Sequence, residues 1–201
     1  MRHFSYVKIL PGLVAAFICG SAADSSALAQ TSPASPAVST QSANTLDSLF
    51  ADLKRERDDR QAKRISDRIW AKWRDSGSAT ANLLMQWADK AVSEKNNGLA
   101  LDLLDQVVVL MPDYAEGWNR RATLNYAMGR HAKSMSDISR VLALEPRHFG
   151  AISGMAAILA ASGNDELELR AWEQVLEIYP ANRQAQTRLG ELADKLAGSR
   201  I

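Results

Sequence analysis

The chain has 201 residues, 46% of them hydrophobic and 23% charged, which suits a folded domain or a short solenoid and excludes whole-chain disorder. Its 24 basic residues are balanced by 23 acidic ones, so the basic excess of a nucleic-acid binder is missing. Cys19 is the only cysteine, which excludes a disulfide-stapled scaffold.

At the start of the chain, Arg2, His3 and Lys8 accompany an apolar run from Ile9 to Cys19, and small residues follow to Ala27-Leu28-Ala29. A positive start, a short apolar core and a small-residue exit predict a secretory signal peptide over residues 1–29. The run is shorter than the roughly 20 residues that a membrane-spanning helix needs. Ile18 before Cys19 does not fit a lipid-attachment site. Cleavage before Gln30 would remove Arg2, Lys8, Asp24 and the cysteine, leaving 22 residues of each charge, no thiol nucleophile and no integral membrane span. The expected location is the periplasm; an uncleaved signal anchoring the chain in the inner membrane is the alternative. Residues 30–45 are rich in Ser, Pro and Ala, and up to Ala43 they carry no charge, which predicts a disordered spacer.

From Leu46 onward the texture is helical and periodic. Pro112, Pro146 and Pro180 stand 34 residues apart, and the same period aligns Ala88, Ala122 and Ala156, then Val107, Val141 and Val175. Gly129 and Gly163 coincide, with Lys95 as their counterpart one period earlier. Each unit reads as a helical hairpin. Glycine makes the tight turn, small residues allow close helix approach, and proline marks the exit of the second helix. A hairpin of this kind cannot bury its apolar stripe alone, so the units stack. The periodicity predicts units over 81–114, 115–148 and 149–182, and a capping helix over 183–198. Residues 46–80 form a degenerate N-terminal hairpin in the same register, with Phe50 on the Leu84 column, Leu53 on Trp87, Trp70 on Leu104 and Trp73 on Val107.

The period, the Trp118/Ala122/Gly129 run and the proline closing each unit resemble the tetratricopeptide repeat (TPR). The resemblance implies an all-α, right-handed α-solenoid of antiparallel helix pairs with a C-terminal capping helix. Segments such as Glu116-Gly117-Trp118-Asn119-Arg120-Arg121-Ala122-Thr123 also resemble exported TPR proteins of alpha-proteobacteria, to which no activity is attached. Arg121 departs from its column, which Trp87 and Met155 fill in the neighbouring units. A partly buried guanidinium needs a carboxylate partner, and Asp137 or Glu145 is in reach across the hairpin. Arg147 and His148 read as either structural or ligand-binding.

No catalytic pattern emerges. His131 and His148 have no second histidine or cysteine at ligand spacing, so no metal or other cofactor is expected. There is no nucleophile elbow, phosphate loop or His-Glu-x-x-His. The five tryptophans fall on core columns, and acid pairs such as Asp165-Glu166 suit helix starts. The chain therefore reads as non-catalytic.

In TPR proteins the first helix of each unit lines a concave groove, and by resemblance the candidates here are Asn82, Met85, Asp89, Glu116, Asn119, Arg120, Thr123, Tyr126 and Ser153. The positions with which TPR co-chaperones hold a C-terminal carboxylate carry Met85, Asp89, Arg120, Gly150 and Gly154, of which only Arg120 supplies a positive charge. The expected function is a protein-protein interaction module of the bacterial cell envelope, an adaptor or scaffold with a protein or peptide partner. A binding subunit for a small envelope ligand such as a glycan fragment is the alternative, followed by a cryptic enzyme. Oligomeric state is not encoded in any of these features.

Overall fold

The computed structural model describes residues 45–198, so the expected signal peptide and nearly all of the expected spacer lie outside the described residues. The described residues form helices α1 (Leu46–Arg55), α2 (Asp59–Arg74), α3 (Ala79–Ser93), α4 (Asn97–Leu110), α5 (Ala115–Ala127), α6 (His131–Leu144), α7 (Phe149–Ala161), α8 (Asp165–Ile178) and α9 (Arg183–Gly198). The fold is all-α, and α3–α4, α5–α6 and α7–α8 are the three repeat hairpins, with α9 packed on α8.

Local chemistry sets the helix ends. Thr45, Asp58, Ser78, Asn96 and the His148 ring each accept a hydrogen bond from a backbone N–H in the first turn, satisfying donors that the helix leaves open. Within each hairpin the turn needs a left-handed residue. Gly129 and Gly163 take φ of 70° and 68°, and Lys95 takes 59° on the same column, the only non-glycine to do so among the described residues. Between units, Tyr114, His148 and Asn182 each donate a backbone hydrogen bond to the carbonyl three residues back. These are turns with Pro112, Pro146 and Pro180 at their second position, where a fixed φ is favourable.

Stacking is close because the columns are small. A Cβ on Gly117 would stand 2.8 Å from Val107 Cγ1, and the later residues of that column, Ala151 and Ala185, are 1% and 0% exposed. Ser134 Oγ donates to the Ala122 carbonyl at 2.8 Å across a hairpin. Arg121 joins two units: it makes a bidentate pair with Asp137, at 2.6 and 3.0 Å, and bonds Asp105 of the preceding unit at 2.8 Å. Asn125 donates to the same Asp137 carboxylate. These bonds hold the Arg121 guanidinium above its ordinary pKa, the Asp137 bond most of all. Asp137 is the partner; Glu145 instead pairs with Arg147 at 2.9 Å. The C-terminal helix is pinned by Arg188 to buried Glu168 at 2.7 Å and by Lys195 to Asp165 at 2.7 Å.

The N-terminal hairpin departs from the expected register. Its apolar residues Leu49, Phe50, Leu53, Ile69 and Trp73 share a core with Phe149, Ile152, Trp172, Tyr179 and Leu192 of the C-terminal half. Met85, Ala88 and Leu104 of the first repeat belong to a separate core. Instead of stacking beneath α3–α4, α2 crosses the edge where the inter-repeat turns lie, meeting later repeats before earlier ones. Asp59 pairs with Arg183, Ser66 bonds Tyr179, Trp70 and Trp73 pack on His148 and Phe149, and the Arg74 carbonyl accepts from Tyr114. Arg147 clamps α1 by bonding Asp47 at 2.7 Å and lying over the Phe50 ring at 4.2 Å.

The physical reason for this placement sits at the start of α7. Gly150 is the only glycine on a column occupied elsewhere by Asn82, Glu116 and Gln184. A Cβ there would fall 2.5 Å from Trp70 Cη2, so the absent side chain is the seat for the indole. The His148 ring stacks on Trp73 with centroids 3.9 Å apart, and Phe149 meets both indoles. Burying side chains of the size of Phe50 and Leu53 stabilises by about 1.5–3 kcal/mol each, a gain that the hairpin obtains on this edge.

Two substitution sets test these contacts by denaturant unfolding. Gly150→Ala is expected to destabilise by about 1–2 kcal/mol through overpacking against Trp70, despite alanine's better helix propensity. Gly154→Ala on the same helix meets only an ordinary 3.5 Å contact with Ile138 and is expected to stabilise by about 0.5 kcal/mol. Arg121→Met leaves the buried Asp137 carboxylate with only the Asn125 amide as partner and is expected to cost about 2–3 kcal/mol, only part of it recovered by adding Asp137→Leu, which removes the acceptor of Asn125.

Candidate binding groove

The concave side is built from the inner faces of α3 and α5, and α2 forms a wall along it. Two open recesses of about 370 and 200 Å³ lie there. The first is lined by Ala71, Arg74, Asp75, Asn82, Met85, Gln86 and Asp89, and the second by Trp70, Glu116, Asn119 and Thr123. Arg74 and Arg120 line both, so the recesses form one trough with a cation on each side.

The floor is a polar network whose groups hold one another. Glu116, 1% exposed, accepts from Arg120 Nε at 2.9 Å and from Asn119 Nδ2 at 2.8 Å. Arg120 also reaches Asp89 at 3.2 Å. A buried carboxylate is tolerable only when paired in this way. His148, fully buried, accepts the Ala151 N–H on Nδ1, so its proton sits on Nε2. Nε2 lies 3.4 Å from Glu116 Oε2 but out of line for a hydrogen bond. The flat face of the imidazole is covered by Trp73. Tyr114 donates to the Arg74 carbonyl at 2.9 Å, and burial, aided by the Glu116 charge, raises its phenol pKa well above the usual value. Asp75 is held below its ordinary pKa, chiefly by the Gly77 N–H and then by Asn82.

Seven of the nine groove candidates meet in this trough: Asn82, Met85, Asp89, Glu116, Asn119, Arg120 and Thr123. Their roles differ. Met85 and Asn119 are each 7% exposed, and with Glu116 they form floor rather than accessible surface. Asn82 bonds Ser76 and Asp75 and so shapes the α2–α3 connection. Asp89 and Thr123 are exposed. Tyr126 lies outside the trough lining, stacked on His131 with centroids 5.3 Å apart, and Ser153 bonds its own helix at the Phe149 carbonyl. Arg147 and His148 are structural, one clamping α1 and the other seating Trp73.

The α2 wall, with Trp70, Ala71 and Arg74, is what sequence reasoning missed. A clue was present in Ile69, Trp70 and Trp73, an aromatic cluster on an otherwise highly charged helix. The exposed Arg74 guanidinium lies 5.9 Å from the Trp70 ring centroid, and among the described residues no carboxylate pairs with it. Among the described residues no group of three or more His, Asp or Glu side chains is arranged to hold a metal ion, and no helix is long and apolar enough to cross a membrane.

No protein-family model matches the chain. A TPR repeat-containing protein of Rhizobium etli is 64% identical over 155 residues, covering 77% of this chain and 76% of the relative. A small glutamine-rich tetratricopeptide repeat-containing protein 2 of Mycosarcoma maydis is 24% identical over 125 residues, 62% of this chain but only 36% of that protein. Among solved structures, the first TPR of Spaghetti (RPAP3) bound to an HSP90 peptide is similar at a TM-score of 0.56, with 24% identity over 60% of this chain and 95% of that one. MamA is similar at 0.54, with 16% identity over 68% of this chain and 82% of that one. At these identities the structures speak for the fold alone, whereas the Rhizobium relative speaks for kinship. The chain belongs to the tetratricopeptide-repeat proteins.

Proposed function

We propose that the chain is a non-catalytic interaction module of the bacterial cell envelope that binds a protein or peptide segment in the trough between α2, α3 and α5. The observation that carries this reading is the pair of connected recesses with Arg74 and Arg120 in common. An open, elongated trough with charged walls suits an extended segment better than a small ligand, which is usually enclosed on most sides. Among the described residues no carboxylate pairs with Arg74, so a segment that brings a carboxylate or carbonyl to it, past Asp75 and Asp89 of the same recess, is the favoured chemistry. The first TPR of Spaghetti, a fold relative, is bound to an HSP90 peptide, which is support by analogy for peptide binding. The envelope assignment rests on the signal-peptide pattern in residues 1–29.

A non-catalytic role is supported by the state of the ionisable groups. Asp89 and Glu116 are engaged by Arg120. The Glu116 carboxylate is 1% exposed at the trough floor and held by Arg120 and Asn119, and the neighbouring His148 imidazole is 0% exposed with Trp73 stacked on it.

A photo-crosslinking residue placed at Gln86 or Thr123 in the living host tests the reading, with the same residue at Ser139 on the outer surface as control. Capture of the same discrete protein from both trough positions, and not from Ser139, is the expected result. Arg74→Glu is expected to reduce that capture roughly tenfold. Equal capture from all three positions, or none from the trough, contradicts the proposal. Cell fractionation in parallel is expected to find a shortened chain in the periplasm.

A further inference from the structure

Helix α2 carries a row of like charge. Arg60, Arg64, Arg68 and Lys72 follow one another at four-residue spacing and all are exposed, so they share one face of the helix over about 18 Å. Like charges at this spacing repel and weaken a helix. The neighbouring row shows the ordinary solution, with Lys63 paired to Asp67 at 2.9 Å.

The other carboxylates of α2 and its two ends are committed elsewhere. Asp59 pairs with Arg183 at 3.1 Å, and Asp58 caps the helix at the Gln61 N–H. Asp75 is held by the Gly77 N–H and by Asn82, with the Lys72 charge a lesser influence. Arg64 bonds only the neutral Gln61 amide, at 3.1 Å, and Arg68 is engaged within the chain. Among the described residues Arg60, Arg64 and Lys72 form no ion pair. Fold and trough use different faces of the helix. Ala62, Ser66, Ile69 and Trp73 are buried, Trp70, Ala71 and Arg74 turn to the trough, and neither recess of the trough is lined by the row. A helix that only had to face water would alternate its charges; this one sets three uncompensated cations in line.

We propose that Arg60, Arg64 and Lys72, with Arg68 between them, form a docking ridge for the anionic headgroup surface of a lipid bilayer. The occupant follows from what the ridge has and what it lacks. Phosphate headgroups present negative charge over an extended surface, which a straight row of guanidinium and ammonium groups complements. A protein partner calls for large apolar or aromatic side chains at the centre of the contact, and no large hydrophobic side chain of α1 or α2 is exposed. A nucleic-acid partner calls for a basic excess, whereas the chain holds 24 basic and 23 acidic residues. The signal-peptide pattern of residues 1–29, expected to take the chain to a membrane, supports the same source. The ridge is separate from the trough, so either reading can fail alone.

Vesicle flotation of the purified chain tests this, comparing phosphatidylcholine alone with a mixture containing about one third phosphatidylglycerol. The expected result is a clear preference for the anionic vesicles that fades as salt rises from roughly 0.1 to 0.5 M. Arg60→Gln, Arg64→Gln and Lys72→Gln are each expected to weaken binding to the anionic vesicles about fivefold, and together about a hundredfold. Any contribution of the apolar run Ile9 to Cys19 is common to every variant and cancels. A control triple, Arg130→Gln, Lys133→Gln and Arg170→Gln, removes the same net charge at exposed positions of the repeats and is expected to change binding less than about twofold. By circular dichroism the α2 triple variant is expected to unfold no earlier than the unaltered chain, because a repulsion has been removed. Equal binding to both vesicle types, an equal loss in the control triple, or earlier unfolding of the α2 triple variant overturns the proposal. Tight binding of polyglutamate or DNA without a preference for anionic vesicles overturns it as well.

Discussion

The packing of two indoles against the start of α7 is the contact on which the rest of this structure depends. Trp70 fits only because position 150 has no side chain, and Trp73 lies flat on a histidine that also caps the helix. Face-to-face stacking of an imidazole on an indole excludes water from both, while the ring nitrogen towards the helix still accepts its hydrogen bond. The apolar gain and the capping requirement therefore meet in one residue. Once the indoles are seated there, α2 has to run across the inter-repeat turns, and α1 follows under the Arg147 clamp.

Two consequences follow from that single contact. On the concave side, α2 brings Arg74 and Trp70 opposite Arg120 and Thr123, turning an open inner face into a walled trough. Trp73 covers the His148 ring, which lies beside the buried Glu116 carboxylate at the floor of that trough. On the outer end of the first repeat, the hairpin's departure leaves Leu83 and Trp87 without the neighbour that every later unit has. The binding trough and the uncovered end are thus two results of one packing choice.

Much of the solenoid was legible in the sequence, because stacking imposes size and conformation at fixed columns. Val107, Val141 and Val175 face small residues one unit on, and a left-handed turn residue recurs even where it is Lys95. The Arg121–Asp137 pair was legible for a different reason: a guanidinium on a packed column demands a carboxylate, and Asp137 is one of the few within reach. The hairpin's destination was not legible. Phe50, Leu53, Trp70 and Trp73 satisfy the 34-residue register, and apolar side chains carry no label saying which core they enter. The information lay in Gly150, whose missing side chain has meaning only when Trp70 is beside it. Seven of the groove candidates line the two recesses, while the wall opposite them, built from α2, went unseen.

The placement of the hairpin is the central claim, and a pair of cross-links tests it most directly. In a Cys19→Ser background, cysteines replace Asp47 and Arg147 in one variant and Asp59 and Arg183 in another, and each is treated with a short bis-maleimide. Because these side chains meet in the folded chain, both variants are expected to give an intramolecular cross-link, abolished by denaturation before treatment. Failure of both pairs to link within one folded chain would contradict the account and would return α1–α2 to the position beneath α3–α4 that the repeat register implied.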